Sequence, residues 1–312
     1  MITHSFIEGD IHSPLPYSYS PSLFNQPKHL ELQSKKGWRS FYIITEPVKQ
    51  IAGAIHFYID DENATSPLRA PFGGLELHND LRTGITEGFI QYFTDKLKTA
   101  GINKVSIKVA PEIYASPQSN INSSLRNQGY TVQVADVSSV IEVNTNTLKE
   151  KLHRSERRRF DKAGAAGLTF ARFPISELQQ VYTFIKDCRE RKHFNLSMSF
   201  EQLDETVRVF QSQFVLFGVY DSQRLVSASI AIRVTDDVLY EFYHDHHADY
   251  DHLSPVVMLV SGIYDHCVSE RIKYFDLGTS SVNNQPNFSL LHFKTLLGAT
   301  TSPKLTFEKI LQ

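Results

Sequence analysis

The order hairpin, helix, strand occurs twice along this chain, and that recurrence limits what it can fold into. In the first half, SFYIITE and IAGAIHFYID are β-rich runs separated by Pro-Val-Lys-Gln, the pattern of an antiparallel hairpin. GITEGFIQYFTDKLKTAG follows, with Ile85, Phe89, Tyr92, Phe93 and Leu97 on one helical stripe and Gly101 as a left-handed stop. INKVSIKVAP then alternates strictly up to Pro111, as a strand returning to a sheet does. A short helix near 122–127 and strands near 130–134 and 140–143 complete this half.

In the second half, FVLFGVYD, a Ser-Gln-Arg turn and LVSASIAIRV predict another hairpin, and VLYEFYH a third strand. Ser254 and Pro255 open a helix through SPVVMLVSGIYDHCVSERI, and KYFDLG is the next strand. GINKVSI after the first helix answers RIKYFDL after the second in position and polarity, a repeat of pattern and not of identity. Two copies of one α/β unit are therefore expected, and 312 residues is a length that suggests two domains.

The boundary is expected at 146/147, giving domains 1–146 and 147–312. There TLKEKLHRSERRRFDKAG predicts one helix, with a Thr147/Glu150 capping box, a thin stripe of Leu148, Leu152 and Phe160, and a stop at Gly164. Its lysines and arginines read either as a solvated connecting face or as a phosphate-binding one. A strand at LTFARF and helices over 176–191 and 199–211 follow, the second capped by Ser199 with Gln202. The first thirty or so residues, rich in Pro, Ser, Tyr and His, read as an irregular arm.

Formal net charge is −2, so no global field draws the chain towards DNA or an anionic membrane. Cys188 and Cys267 are too few for a disulfide framework or a four-thiolate metal site, which fits a reducing compartment. The N-terminus lacks a basic start followed by an apolar core, and no apolar run approaches the roughly 20 residues needed to span a bilayer. A cytoplasmic protein without a membrane span is the expectation.

The element order strand, two helices, hairpin, third strand, helix, parallel strand resembles the N-acyltransferase fold of the GNAT superfamily. The run YDHLSPVVMLVSGIYDHCVSERIKYFDLGTS, with HFKTLLGA after a polar loop, resembles the Fem-type (FemAB-like) branch. In that branch aromatic-Asp-Leu-Gly ends one strand and a Phe-Lys pair precedes a glycine in the next helix. Here those positions are Phe275, Asp276, Leu277, Gly278, Phe293, Lys294 and Gly298. The resemblance implies an α/β fold of two tandem GNAT-like units, with mixed, mostly antiparallel sheets flanked by helices.

It also implies transfer of an acyl or aminoacyl group to an amine of a small molecule, amino sugar or peptide precursor. The donor would be acyl-CoA as co-substrate or aminoacyl-tRNA; no long heptad insertion of the coiled-coil arm found in some tRNA-dependent relatives is present, so tRNA is not favoured. The loop DHHADYDHLSP departs from the glycine-rich, basic loop with which acetyl-CoA enzymes cradle pyrophosphate at a helix start.

Acyl transfer to an amine needs a neutral nucleophile, oxyanion donors and a proton path, but no nucleophilic side chain. Accordingly the chain has no Gly-x-Ser-x-Gly elbow, His-Glu-x-x-His helix or phosphate-loop motif. On VLYEFYH, alternation puts Glu241 and Tyr243 on one face and Tyr240, Phe242 and His244 on the other. Glu241 is then a candidate base and Tyr243 a proton donor, or Glu241 lies at a solvent edge and the tyrosines pack. His244 is a candidate base or substrate contact; with His246, His247 and His252 it invites a metal reading, but no metal is expected.

Asp276 holds a substrate amine or caps a turn. The loop TSSVNNQPN leaves a strand end, where ligands gather in α/β folds, so Ser280, Asn283 and Asn284 are substrate-binding candidates. Following the resemblance, Lys294 projects towards the acyl carbonyl or a donor phosphate, with Phe293 beside it at the substrate; a snorkelling lysine is the rival reading. Ser254 is a cofactor contact at its helix start, and Arg191 either reaches the substrate or caps its helix. The expected function is N-acyl transfer by direct attack. Its rivals are a catalytically silent ligand-binding module, an aminoacyl-tRNA-dependent transferase and an RNA-binding protein.

Overall fold

The computed structural model describes residues 2–114, 120–282 and 285–311. Contacts divide the chain into two compact units, one of Met1–Val137 with Ser302–Gln312, the other of Ser138–Thr301. The chain therefore crosses the division twice, where a single crossing at 146/147 is expected from the sequence. The expected strands near 130–134 and 140–143 are one long strand, and the first division falls inside it.

The first unit comprises β1 (Thr3–Gly9), α1 (Pro27–Gln33), β2 (Trp38–Glu46), β3 (Gln50–Asp60), β4 (Asn63–Ser66), β5 (Glu76–Leu77), α2 (Thr83–Thr99), β6 (Lys104–Lys108) and α3 (Ile121–Asn127). It also takes the start of β7 (Thr131–Glu142) and nearly all of the last strand. Strands β1 to β4 pair antiparallel in sequence order, and β4 runs parallel to β6. That parallel pair brackets α2, whose Phe89, Ile90, Phe93 and Leu97 are fully buried, with Phe93 and Phe57 ring centroids 5.3 Å apart.

The N-terminal residues are not wholly irregular. HSFIEG forms most of β1, which pairs with β2 from Thr3↔Glu46 to Gly9↔Ser40 and so completes the sheet edge. The remaining arm covers the face of β2 and β3 opposite α2, where Leu15, Tyr17 and Tyr19 pack on Tyr42, Ile44, Ile51 and Ala54.

The second unit contains α4 (Leu148–Lys151), α5 (Arg154–Ala165), β8 (Leu168–Phe173), α6 (Leu178–Glu190), α7 (Phe200–Val209), β9 (Phe214–Asp221), β10 (Arg224–Thr235), β11 (Val238–His246), α8 (Pro255–Ser269), β12 (Tyr274–Thr279), the two-residue strands β13 (Ser281–Val282) and β14 (Gln285–Pro286), and α9 (Phe288–Leu296). Strand β15 (Thr300–Ile310) then runs antiparallel to β6 in the first unit. Within the second unit the strand order is β7-β12-β11-β10-β9-β8, and β11 with β12 is its parallel pair. The repeat is plain: β2, β3, β4, α2, β6 in one unit answer β9, β10, β11, α8, β12 in the other.

The basic segment is two helices and not one. Leu152 and His153 are extended between α4 and α5, and the stop comes after Gly164, with Gly167 at φ +85. The capping box stands, since Thr147 N–H donates to Glu150 Oε2 at 3.1 Å. So does the Ser199 box, with Gln202 N–H donating to Ser199 Oγ at 3.3 Å. α8 is apolar almost all round and sits inside the core, as such a helix must. Gly262 lets it press on β8: a Cβ there would stand 2.2 Å from the Phe170 ring. Among the described residues no helix is long and apolar enough to cross a membrane.

Candidate active site

Strands β11 and β12 pair only at Val238↔Tyr274, Leu239↔Phe275 and Tyr240↔Asp276. Beyond Tyr240, β11 continues to His246 with β10 as its partner, while β12 breaks register against β7 between Asp276 and Thr279. The sheet therefore opens at the C-terminal ends of its one parallel pair in this unit. Such a gap leaves the β11 edge beyond Tyr240 without a strand partner on that side, where a ligand's donors and acceptors can pair.

A β-bulge shapes the β11 side. Ile230 pairs with Tyr243 and Ala231 with Glu241, so Phe242 is the extra residue. The bulge overturns the alternation expected for VLYEFYH. Glu241 does not share its environment with Tyr243; it meets His244, whose Nδ1 lies 3.1 Å from Glu241 Oε2. Glu241 is 4% exposed, and its Oε1 accepts from Ser229 Oγ at 3.3 Å. Ser229 thus hydrogen-bonds one oxygen of Glu241 while the other lies against His244 Nδ1, and His244 Nε2 has no partner among the described residues. Ser229 escaped sequence reasoning because it lies on the neighbouring strand, opposite His244.

Tyr243 faces elsewhere. Its hydroxyl is 2.6 Å from Ser197 Oγ and accepts from Met198 N–H at 3.0 Å, while the Arg189 guanidinium lies over its ring at 5.6 Å. Burial raises its pKa. This tyrosine fastens the 197–198 loop to the strand.

On β12, Asp276 is fully buried, and its Oδ1 accepts from Gly278 N–H at 2.7 Å. The turn so closed needs φ +74 at Gly278, a conformation that favours glycine. Beside it, Tyr240 has its pKa pushed well up by burial and by the Asp276 carboxylate. Lys294 is no snorkelling residue: it is 3% exposed, and its Nζ donates to Gly278 O at 3.0 Å and Thr279 O at 2.9 Å. It turns inward from α9 onto the end of β12.

The other candidates scatter. Phe293 packs on the core of the unit, and Ser280 is buried with its hydroxyl unbonded among the described residues. Asn283 and Asn284 lie outside the described residues. Ser254 has φ +51 and caps nothing: its hydroxyl donates to Asp251 O at 3.4 Å, and Pro255 alone provides the expected helix-start signal. Arg191 reaches His247 Nε2 at 3.2 Å. His246 is 2.6 Å from Asp251, and no three His, Cys, Asp or Glu side chains among the described residues are grouped to hold a metal ion. Cys188 and Cys267 are buried free thiols, the first with its pKa raised to about 11 by burial. A groove of about 800 Å³ beside Arg172, Ile175 and Arg208 lies at the opposite edge of this sheet.

The sheet is thus parted beside a buried carboxylate and an imidazole. Residues 149–289 match the family model described as acetyltransferase (GNAT) domain. The solved structure of FemX superposes with TM-score 0.68 at 12% identity over 92% of both chains. A tandem GNAT protein from the clavulanic acid biosynthesis pathway gives 0.53 at 10% over 99% of both. L-PGS from Bacillus licheniformis gives 0.56 at 12% over 82% of this chain and 80% of its own. No curated protein matches in sequence. The fold is a Fem-like GNAT fold of two tandem units, as the resemblance implied.

Proposed function

We propose that this chain is an N-acyltransferase that moves an acyl or aminoacyl group from a thioester or ester donor to an amine by direct attack. Acyl-CoA is the favoured donor, and a small molecule, amino sugar or peptide precursor the acceptor. The observation that carries the reading is the chain Ser229–Glu241–His244 at the place where β11 leaves β12.

His244 takes the proton of the attacking amine on Nε2, while the Glu241 carboxylate, 3.1 Å from Nδ1, favours a proton on that nitrogen and so the tautomer that can receive at Nε2. Ser229 in turn holds Glu241. Lys294 and Asp276 fix the end of β12 and so the width of the gap. The open edge of β11 suits the amide-bearing arm of a CoA donor, whose thioester supplies the activated acyl group. Two free cysteines and the choice of donor fit a cytoplasmic reaction.

The test is calorimetric binding of acetyl-CoA and longer acyl-CoAs to the wild-type protein, followed by thiol release on addition of amines to wild type and His244→Ala. Micromolar binding, with amine-dependent release that the variant loses, supports the reading. Absence of binding to every acyl-CoA sinks the CoA donor and turns the search to aminoacyl-tRNA or a silent module.

A further inference from the structure

The loop that leads from β11 into α8 gathers positive charge at one atom. Arg191, just past the end of α6, and Arg224, the first residue of β10, both bring a guanidinium nitrogen to His247 Nε2, at 3.2 and 3.1 Å. One imidazole nitrogen offers one lone pair, so the two cations share an acceptor that can serve only one of them well. Two guanidiniums so close repel each other.

Compensation is thin. Asp249 Oδ2 lies 3.5 Å from Arg224 Nη2 on a largely exposed side chain, and Arg191 makes no ion pair among the described residues. Arg224 is nonetheless held in place, lying over the Tyr250 ring at 5.4 Å while the Tyr250 hydroxyl donates to Asp221 Oδ2 at 2.8 Å. A fork of two guanidiniums meeting at one imidazole, each with N–H groups to spare, matches the charge and the oxygens of a phosphate dianion.

We propose that Arg191 and Arg224, bridged by His247, form a binding site for a phosphate monoester. The site deepens the function proposed above and rests on it in one respect. If acyl-CoA is the donor, the monoester is the 3′-phosphate of its nucleotide, held on the loop that precedes α8. Asp249 occupies part of this field and competes with the ligand.

Inorganic phosphate, adenosine 3′,5′-bisphosphate, CoA and dephospho-CoA are titrated against wild type, Arg191→Ala, Arg224→Ala and Asp249→Asn, by calorimetry and by the His247 side-chain NMR signals. Phosphate and the bisphosphate are expected to shift His247 in wild type, to bind about tenfold or more weakly to either arginine variant, and to bind more tightly to Asp249→Asn. Unchanged melting of the variants separates lost contacts from lost fold. No shift of His247, or equal binding to wild type and both arginine variants, overturns the site. CoA binding more tightly than dephospho-CoA, by a factor that Arg224→Ala abolishes, assigns the phosphate to the donor. Arginine-dependent binding of phosphate with no binding of either CoA form leaves the site standing and removes the CoA reading.

Discussion

Glu241 and His244 are three residues apart on one strand, yet Glu241 Oε2 and His244 Nδ1 lie 3.1 Å apart. A regular strand would send these side chains to opposite faces; the additional residue Phe242 resets the alternation between them. The pair exists because of a fault in the ladder.

If the pair works as a unit, Glu241→Gln keeps the shape and loses the charge that orients the imidazole. Amine acylation by that variant is expected to fall about 100-fold, and His244→Ala to cost at least as much. The double variant should be scarcely slower than His244→Ala alone. Single-turnover rates of the three variants check this. Losses that multiply would mean that the two residues act independently.

Lys294 carries a stability consequence that a substrate-facing lysine would not. Lys294→Met strips the buried carbonyl of Gly278 and the half-buried one of Thr279 of a charged donor. The expected loss to the second unit is about 2–4 kcal/mol. Hydrogen exchange of α8 amides measures it, and Trp38, the sole tryptophan, reports on the first unit by fluorescence. A variant that loses activity with unchanged α8 protection would return Lys294 to a direct role in the chemistry.

His56 and His29 in the first unit set an acid limit. Burial lowers each pKa from 6.5 to about 4. The unfolded chain therefore binds more protons between these values, so the stability contribution is whole above pH 6.5 and is lost as pH falls towards 4. Each histidine accounts for roughly 3 kcal/mol of that loss. Urea unfolding followed by Trp38 at pH 7, 5.5 and 4.5 should show the decline, and His56→Asn should flatten it by about half. Parallel profiles for wild type and variant would refute the assignment.

Elements with strong local periodicity were legible in the sequence: the stripe of α2, the Ser199 capping box and the twice-used hairpin, helix, strand order. The aromatic-Asp-Leu-Gly motif likewise led to Asp276 and Gly278. What escaped depends on partners distant along the chain. The bulge at Phe242 is set by pairing with Ile230 and Ala231, and nothing in VLYEFYH marks it. Arg224 and His247 gain meaning only through Arg191, which follows a separate helix. β1 was missed because an edge strand, paired on one side only, keeps much of its surface exposed and its alternation faint.

The placement of β15 bears on how the molecule is made. The first unit includes the stretch from Ser302 on, in which Thr306–Ile310 pair with β6 and Leu305 and Phe307 are buried in its core. A ribosome delivers these residues after it has delivered every residue of the second unit. The first unit's sheet therefore stays open along the edge of β6 until the whole of the second unit has been synthesised.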